Sequence, residues 1–212
     1  MIGRRRGAPA TALLIVAILI GFGFEVLTGA WVDGDKLAEY GAVIRDRIVY
    51  EHEYWRLLTA MFLHGDGTIR GDLLHLGVNV FSLYQLGTIY EWMFGTRRLM
   101  AVYFISGLLA SVTSAYMNEG ASVGASGAIF GIAGAFIFSV LRSPRYRHER
   151  QARGIVRQLV FLIIANVVIG SQIPKIDMSA HLGGLLAGML LGALLPHRAP
   201  PPPPPREMLI DV

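Results

Sequence analysis

Apolar runs separated by short charged clusters organise this chain. Six runs stand out: Thr11 to Leu27, Leu73 to Trp92, Leu99 to Met117, Val123 to Leu141, Ile155 to Gly170 and Ala180 to Leu195. Their lengths reach or approach the about 17–25 residues a helix needs to cross the hydrocarbon of a bilayer. In lipid only helices and closed barrels satisfy every backbone polar group from within. The pattern therefore predicts an all-α, polytopic membrane protein: a six-transmembrane-helix bundle over residues 11–196, a short cytoplasmic N-terminus (1–10) and a Pro-rich cytoplasmic tail (197–212). The first run follows Arg4-Arg5-Arg6 as a signal peptide would. Its long apolar core and lack of a clear A-x-A cleavage site make it an anchor instead.

Composition agrees. The chain is 53% hydrophobic and 16% charged, with a mean hydropathy of +0.50, against about 25% charged for an ordinary soluble domain. Cysteine is absent, which excludes disulfides and thiolate metal sites. The net charge of +4 does not imply nucleic acid, because the basic residues cluster between apolar runs, as topology determinants do. With the N-terminus inside, thirteen of the nineteen Lys and Arg fall on inner segments, including Arg97, Arg98 and the arginines from Arg142 to Arg157. That bias puts both termini in the cytoplasm, and the starts of the second, fourth and sixth runs at the outer face.

The candidate chemistry lies at those three starts. His75, Ser126 and His181 are expected within about the first turn of their helices and hence at one depth of the bilayer. A serine hydroxyl becomes a nucleophile when a neighbouring base takes its proton, and imidazole is the usual base near neutral pH. Ser126 at a helix start offers an unpaired backbone N–H to a developing oxyanion. His75 and Asn79, at i and i+4, share a helix face, and both carry donors. Taken singly, each has a plainer reading: a helix cap for Ser126, a solvated interfacial histidine, interhelical glue for Asn79. Four complementary groups at one depth favour function. Rows of glycine, at Gly124, Gly127, Gly131 and Gly134 in the fourth run and at Gly184, Gly188 and Gly192 in the sixth, allow two helices the close crossing that a Ser126–His181 bond needs.

The ordered set Trp55-Arg56, His75-x-x-x-Asn79, Gly124-Ala125-Ser126-Gly127 and Ala180-His181-x-x-Gly-x-x-x-Gly188 resembles the rhomboid intramembrane serine proteases, over roughly Trp55 to Leu195. The resemblance implies Ser126 as nucleophile and His181 as general base and acid. It implies His75, Asn79 and the Ser126 backbone as the oxyanion hole, Gly124 as a clear approach to the serine, and Phe130 packed on the His181 ring. It implies an endopeptidase that needs no cofactor or metal and cuts single-pass transmembrane proteins near the outer face. A backbone carbonyl inside a helix is hidden by its own hydrogen bond, so a target helix must first unwind locally. The alternative is a catalytically inactive rhomboid-like protein that binds membrane clients.

Rhomboids often carry a further histidine about five residues before the His-x-x-x-Asn histidine; here the nearest is His64, with Gly65 to Asp72 between. The stretch Ala30 to Asp72 is expected to form short helices half-sunk in the outer leaflet, starting with Tyr54-Trp55-Arg56. Glu91 is expected to form a structural ion pair with Arg97 and Arg98. Pro200 to Pro205 is expected to be an extended polyproline spacer. Partners are thus membrane lipid and transmembrane substrates, with no nucleic acid, and the expected location is a prokaryotic inner membrane.

Overall fold

The computed structural model describes residues 7–65, 69–173 and 176–195. The Arg4 to Arg6 cluster, Asp66 to Thr68 and the Pro-rich tail lie outside the described residues. The chain is all-helical, and among the described residues there is no strand, only one isolated antiparallel bridge between Val43 and Ser122.

Helix α1 (Pro9–Thr28) begins with Pro at its first turn, where a missing N–H costs nothing, and ends on Gly29 at φ +77°. The following loop is built from three short helices, α2 (Gly34–Tyr40), α3 (Arg45–Val49) and α4 (Arg56–Thr59), and two 3₁₀ turns, Ala30–Val32 and Ala60–Phe62. Arg56, 1% exposed, is its hub: it binds the Glu53 carboxylate, donates to the Ala38 and Ala42 carbonyls and lies against the Trp55 ring. The expectation of short helices here holds.

Next, α5 (Ile69–Ser82), a π turn (Leu83–Gly87) and α6 (Thr88–Phe94) run on from one another. This element starts four residues before the apolar run does, so His75 lies in its second turn rather than its first. The remaining helices are α7 (Thr96–Met117), α8 (Ser126–Arg142), α9 (Arg150–Gly170) and α10 (Met178–Leu194). By length and composition α1, α7 and α9 are able to cross a membrane, while α8 and α10 are shorter apolar helices of 17 residues. Large apolar side chains such as Leu27, Leu74, Phe81, Phe161 and Leu194 cover the outside, the reverse of a soluble protein and the expected surface for lipid.

Helix α8 is the axis of the bundle. Small residues bring α10 against it: a Cβ on Gly184 or Gly188 would collide with the backbone of Gly127 or Gly131, and one on Gly192 would lie 2.6 Å from the Ala135 carbonyl. On its other side Gly127 and Gly131 admit Ala110 and Ser106 of α7. In lipid, association relies on such close packing and on polar contacts, since tails compete equally for apolar side chains. Helix α9 is peripheral, with only Ala152 and Gly170 buried along its length.

Glu91 has a different structural role from the pairing with Arg97 and Arg98 that the sequence suggested. Its buried carboxylate accepts from Ala10 N (3.1 Å), Thr11 N (2.9 Å), Thr11 Oγ1 (2.9 Å) and Thr96 Oγ1 (2.8 Å). It thereby satisfies orphan N–H groups at the start of α1 and sits at the positive end of that helix.

Candidate active site

The strap that leads into α8 is held by the loop before α5 at three successive places. Ser122 exchanges backbone hydrogen bonds with Val43 (2.9 and 3.0 Å), Gly124 N–H donates to the Ala60 carbonyl (2.8 Å), and Ala125 N–H donates to His64 Nε2 (3.4 Å). Gly124 needs to be glycine twice over. Its φ of +127° is strained for a side chain, and a Cβ there would lie 2.8 Å from His75 Nε2. Ser126 then opens α8, with the N–H groups of the first turn lacking intrahelical acceptors.

His181 lies in the first turn of α10. That turn is fixed by Asp177, whose carboxylate accepts from Ala180 N (3.0 Å), Ser179 Oγ, Ser114 Oγ and Asn118 Nδ2 (3.4 Å), tying the start of α10 to the end of α7. Burial alone would raise the Asp177 carboxyl, but these donors outweigh it and hold the group below the usual carboxylate range.

The close α8–α10 crossing brings the two polar exceptions together. Ser126 Oγ and His181 Nε2 are 2.8 Å apart. Phe130, one turn into α8, stacks on the imidazole with centroids 4.4 Å apart and planes 10° from parallel. His181 Nδ1 lies 3.1 Å from the amide oxygen of Asn166 on α9. Asn166 was not singled out in the sequence, although it is the one amide or charged side chain between Val160 and Gly170 in an otherwise apolar run.

His75 and Asn79 lie on the adjoining helix. His75 Nδ1 donates to the His64 carbonyl (3.3 Å), and its ring presses on Gly124. Asn79, 4% exposed, donates one amide hydrogen to the His75 carbonyl (2.9 Å). His64 is fully buried 5.1 Å from the His75 ring. Burial, and then the charge of His75, push its imidazole down to about 3, so it is neutral at ordinary pH. One tautomer meets both its neighbours: Nδ1–H donates to the Phe62 carbonyl (3.3 Å) while Nε2 accepts from Ala125. A buried carboxylate supports this loop from α1, Glu25 accepting from His64 N (2.8 Å) and Gly65 N (3.0 Å). Sequence reasoning passed over Glu25 and Asp177 as well; Asp177 carries a cap signature, an aspartate three residues before the N–H it binds.

A serine hydroxyl against a buried, stacked imidazole at the crossing of two Gly-rich apolar helices defines a class of membrane-embedded serine-histidine site. The Rhomboid domain family model matches residues 51–198, and the chain belongs to the rhomboid family. It is an integral membrane protein. It is 32% identical over 193 residues to Rhomboid protease GluP of Bacillus subtilis, covering 90% of this chain and 36% of that protein. It is 39% identical over 162 residues to RHOMBOID-like protein 5 of Arabidopsis thaliana, covering 75% and 49%. Rhomboid protease AarA of Providencia stuartii is 28% identical over 220 residues, covering 91% and 75%. The chain thus spans less than half the length of the first two.

Proposed function

We propose that this chain is an intramembrane serine endopeptidase in which Ser126 attacks the scissile carbonyl and His181 acts as base and then acid. The observation that carries the reading is the 2.8 Å approach of Ser126 Oγ to His181 Nε2 in a member of the rhomboid family. His181 Nε2 takes the hydroxyl proton as Oγ bonds to the carbonyl carbon. The resulting imidazolium gives that proton to the leaving amine, and water repeats the sequence on the acyl-enzyme.

The oxyanion is met by the Ser126 N–H and by the second amide hydrogen of Asn79. His75 is the third donor, through its ring Nε2. With Nδ1–H committed to the His64 carbonyl, its Nε2 donates only when the ring is doubly protonated. Gly124 keeps the approach open.

Substrates are transmembrane proteins, single-pass ones first, cut near the outer face where the segment unwinds. Residues 11–196 form the membrane domain, with α1, α5 and α6 together, α7, α8, α9 and α10 as six spans and both termini in the cytoplasm of a prokaryotic cell. The test is fluorophosphonate labelling of purified protein beside Ser126→Ala and His181→Ala, followed by cleavage of a reconstituted single-pass substrate. Labelling and cleavage lost in both variants support the protease. Equal background in all three, with the fold intact and an active rhomboid as control, would make the chain a client-binding relative instead.

A further inference from the structure

We propose that Asn166 is a positioning residue for His181, the third member of a Ser126–His181–Asn166 relay whose orienting group is a neutral amide on the peripheral helix α9. The inference rests on the protease reading for its consequence, but the arrangement it describes stands on geometry alone. His181 Nδ1 and Asn166 Oδ1 are 3.1 Å apart, His181 Nε2 and Ser126 Oγ 2.8 Å. A carbonyl oxygen only accepts, so Nδ1 carries the hydrogen. In neutral imidazole this leaves a lone pair on Nε2, aimed at the Ser126 hydroxyl. The opposite tautomer places a hydrogen against Oγ, where no proton can be taken.

The carboxylate that would play this part in a soluble triad is occupied elsewhere. Asp177, four residues before His181, commits its oxygens to Ser114, Asn118, Ser179 and Ala180. Phe130 stacks on the flat face of the ring and fixes its plane. A stacked face leaves the choice of tautomer open, and Asn166 makes that choice. A neutral amide suits an apolar helix, because an ionised carboxylate at that place would carry a large desolvation cost. Helix α9 is otherwise thinly attached, with little of it buried, so this bond also ties its outer half to the site.

Two measurements test the proposal. In ¹⁵N-histidine NMR of the full-length protein, with the His181 signals identified by their loss in His181→Ala, the neutral wild-type ring should be mainly the Nδ1–H form. A mainly Nε2–H ring would overturn the proposal outright, and this needs no activity. The second compares Asn166→Leu, similar in size but without an acceptor, with Asn166→Asp, which keeps the acceptor. Asn166→Leu should lower kcat and the fluorophosphonate labelling rate by about 10- to 100-fold with KM unchanged, and move the ring towards a tautomer mixture. This is less than the about 10⁴ lost when the orienting carboxylate of a Ser-His-Asp triad is changed to an amide, since here the acceptor is already neutral. Asn166→Asp, whose carboxyl keeps an accepting oxygen whether ionised or protonated, should retain most of the rate per folded molecule even where the desolvation cost lowers its stability. Equal defects in both variants, or a wild-type rate in folded Asn166→Leu, would overturn it. A wild-type protein that takes up no label would sink the protease reading alone, and the tautomer would still decide this one.

Discussion

Three neighbours hold the His181 ring: Ser126 and Asn166 along its edge and Phe130 on its face. An aromatic contact of this kind contributes about 0.5–1.5 kcal/mol beyond the area it buries. Phe130→Ala should therefore slow labelling of Ser126 by about 2- to 10-fold, since 1.4 kcal/mol is about tenfold in rate, while Phe130→Tyr keeps the ring and the rate. An unchanged rate in Phe130→Ala would show that the stack is incidental. His64 gives a second test, on stability. Its folded value, about 3, lies below the ordinary histidine value of 6.5, so the unfolded chain binds the proton more readily. Its contribution is fully present above pH 6.5 and is lost as the pH falls from there towards 3. The slope approaches about 1.4 kcal/mol per pH unit for one proton. Unfolding in detergent should show that acid slope in wild type, and His64→Gln should flatten it. At this scale the sequence displayed Ser126, His181, His75, Asn79 and Phe130, because each sits in a spaced motif. It hid the carboxylates Glu25 and Asp177 and the amide of Asn166, whose partners are 39, 63 and 15 residues away in the chain.

Helices α8 and α10 meet through glycine rather than through interlocking side chains. Adding one methyl group at Gly188 drives it into the Gly131 backbone, and overpacking of this kind costs about 1–3 kcal/mol. The helices have to separate to relieve it, and Ser126 moves with α8. Gly188→Ala should thus lower the melting temperature and abolish labelling even in the molecules that remain folded. Retained labelling per folded molecule would mean that the crossing tolerates more space than the packing suggests. Glu91→Ala makes the contrasting case. It strips the acceptors from Ala10, Thr11 and Thr96, at about 1–3 kcal/mol for orphaned buried donors, far from Ser126 in the fold. Stability should fall while the labelling rate of folded protein is unchanged, as a thermal melt and a labelling time course on one sample would show. The helices themselves were legible as apolar runs, with ends displaced by up to five residues. Those displacements have physical causes. Helix α9 begins at Arg150 rather than Ile155 because arginine is a good helix former and its charge is solvated. The start of α10 is set by Asp177, outside the apolar run.

At the scale of the whole molecule, charge and catalytic depth are linked. If thirteen of nineteen cationic residues face the cytoplasm, an even number of spans returns the chain to that side and the Ser126 end of α8 opens outward. The segment Asn118 to Ala125 must then be outside and the segment Ser143 to Glu149 inside. The native chain has no cysteine, so single substitutions report sidedness without background. Glu119→Cys and Arg147→Cys are both at exposed positions. In sealed vesicles with the original outer face outward, an impermeant maleimide should label Glu119→Cys at once and Arg147→Cys only after permeabilisation. The opposite order would invert the orientation and place the Ser126 end of α8 on the cytoplasmic side, so that any cleavage would occur there. Equal, immediate labelling of both would mean that an even number of crossings separates the two segments where the bundle requires one, α8, and the six-span arrangement would fall while the Ser126–His181 contact, which depends only on the α8–α10 crossing, would stand. The orientation is thus a property of the charge distribution and the dyad a property of glycine packing, and one set of vesicles separates the two.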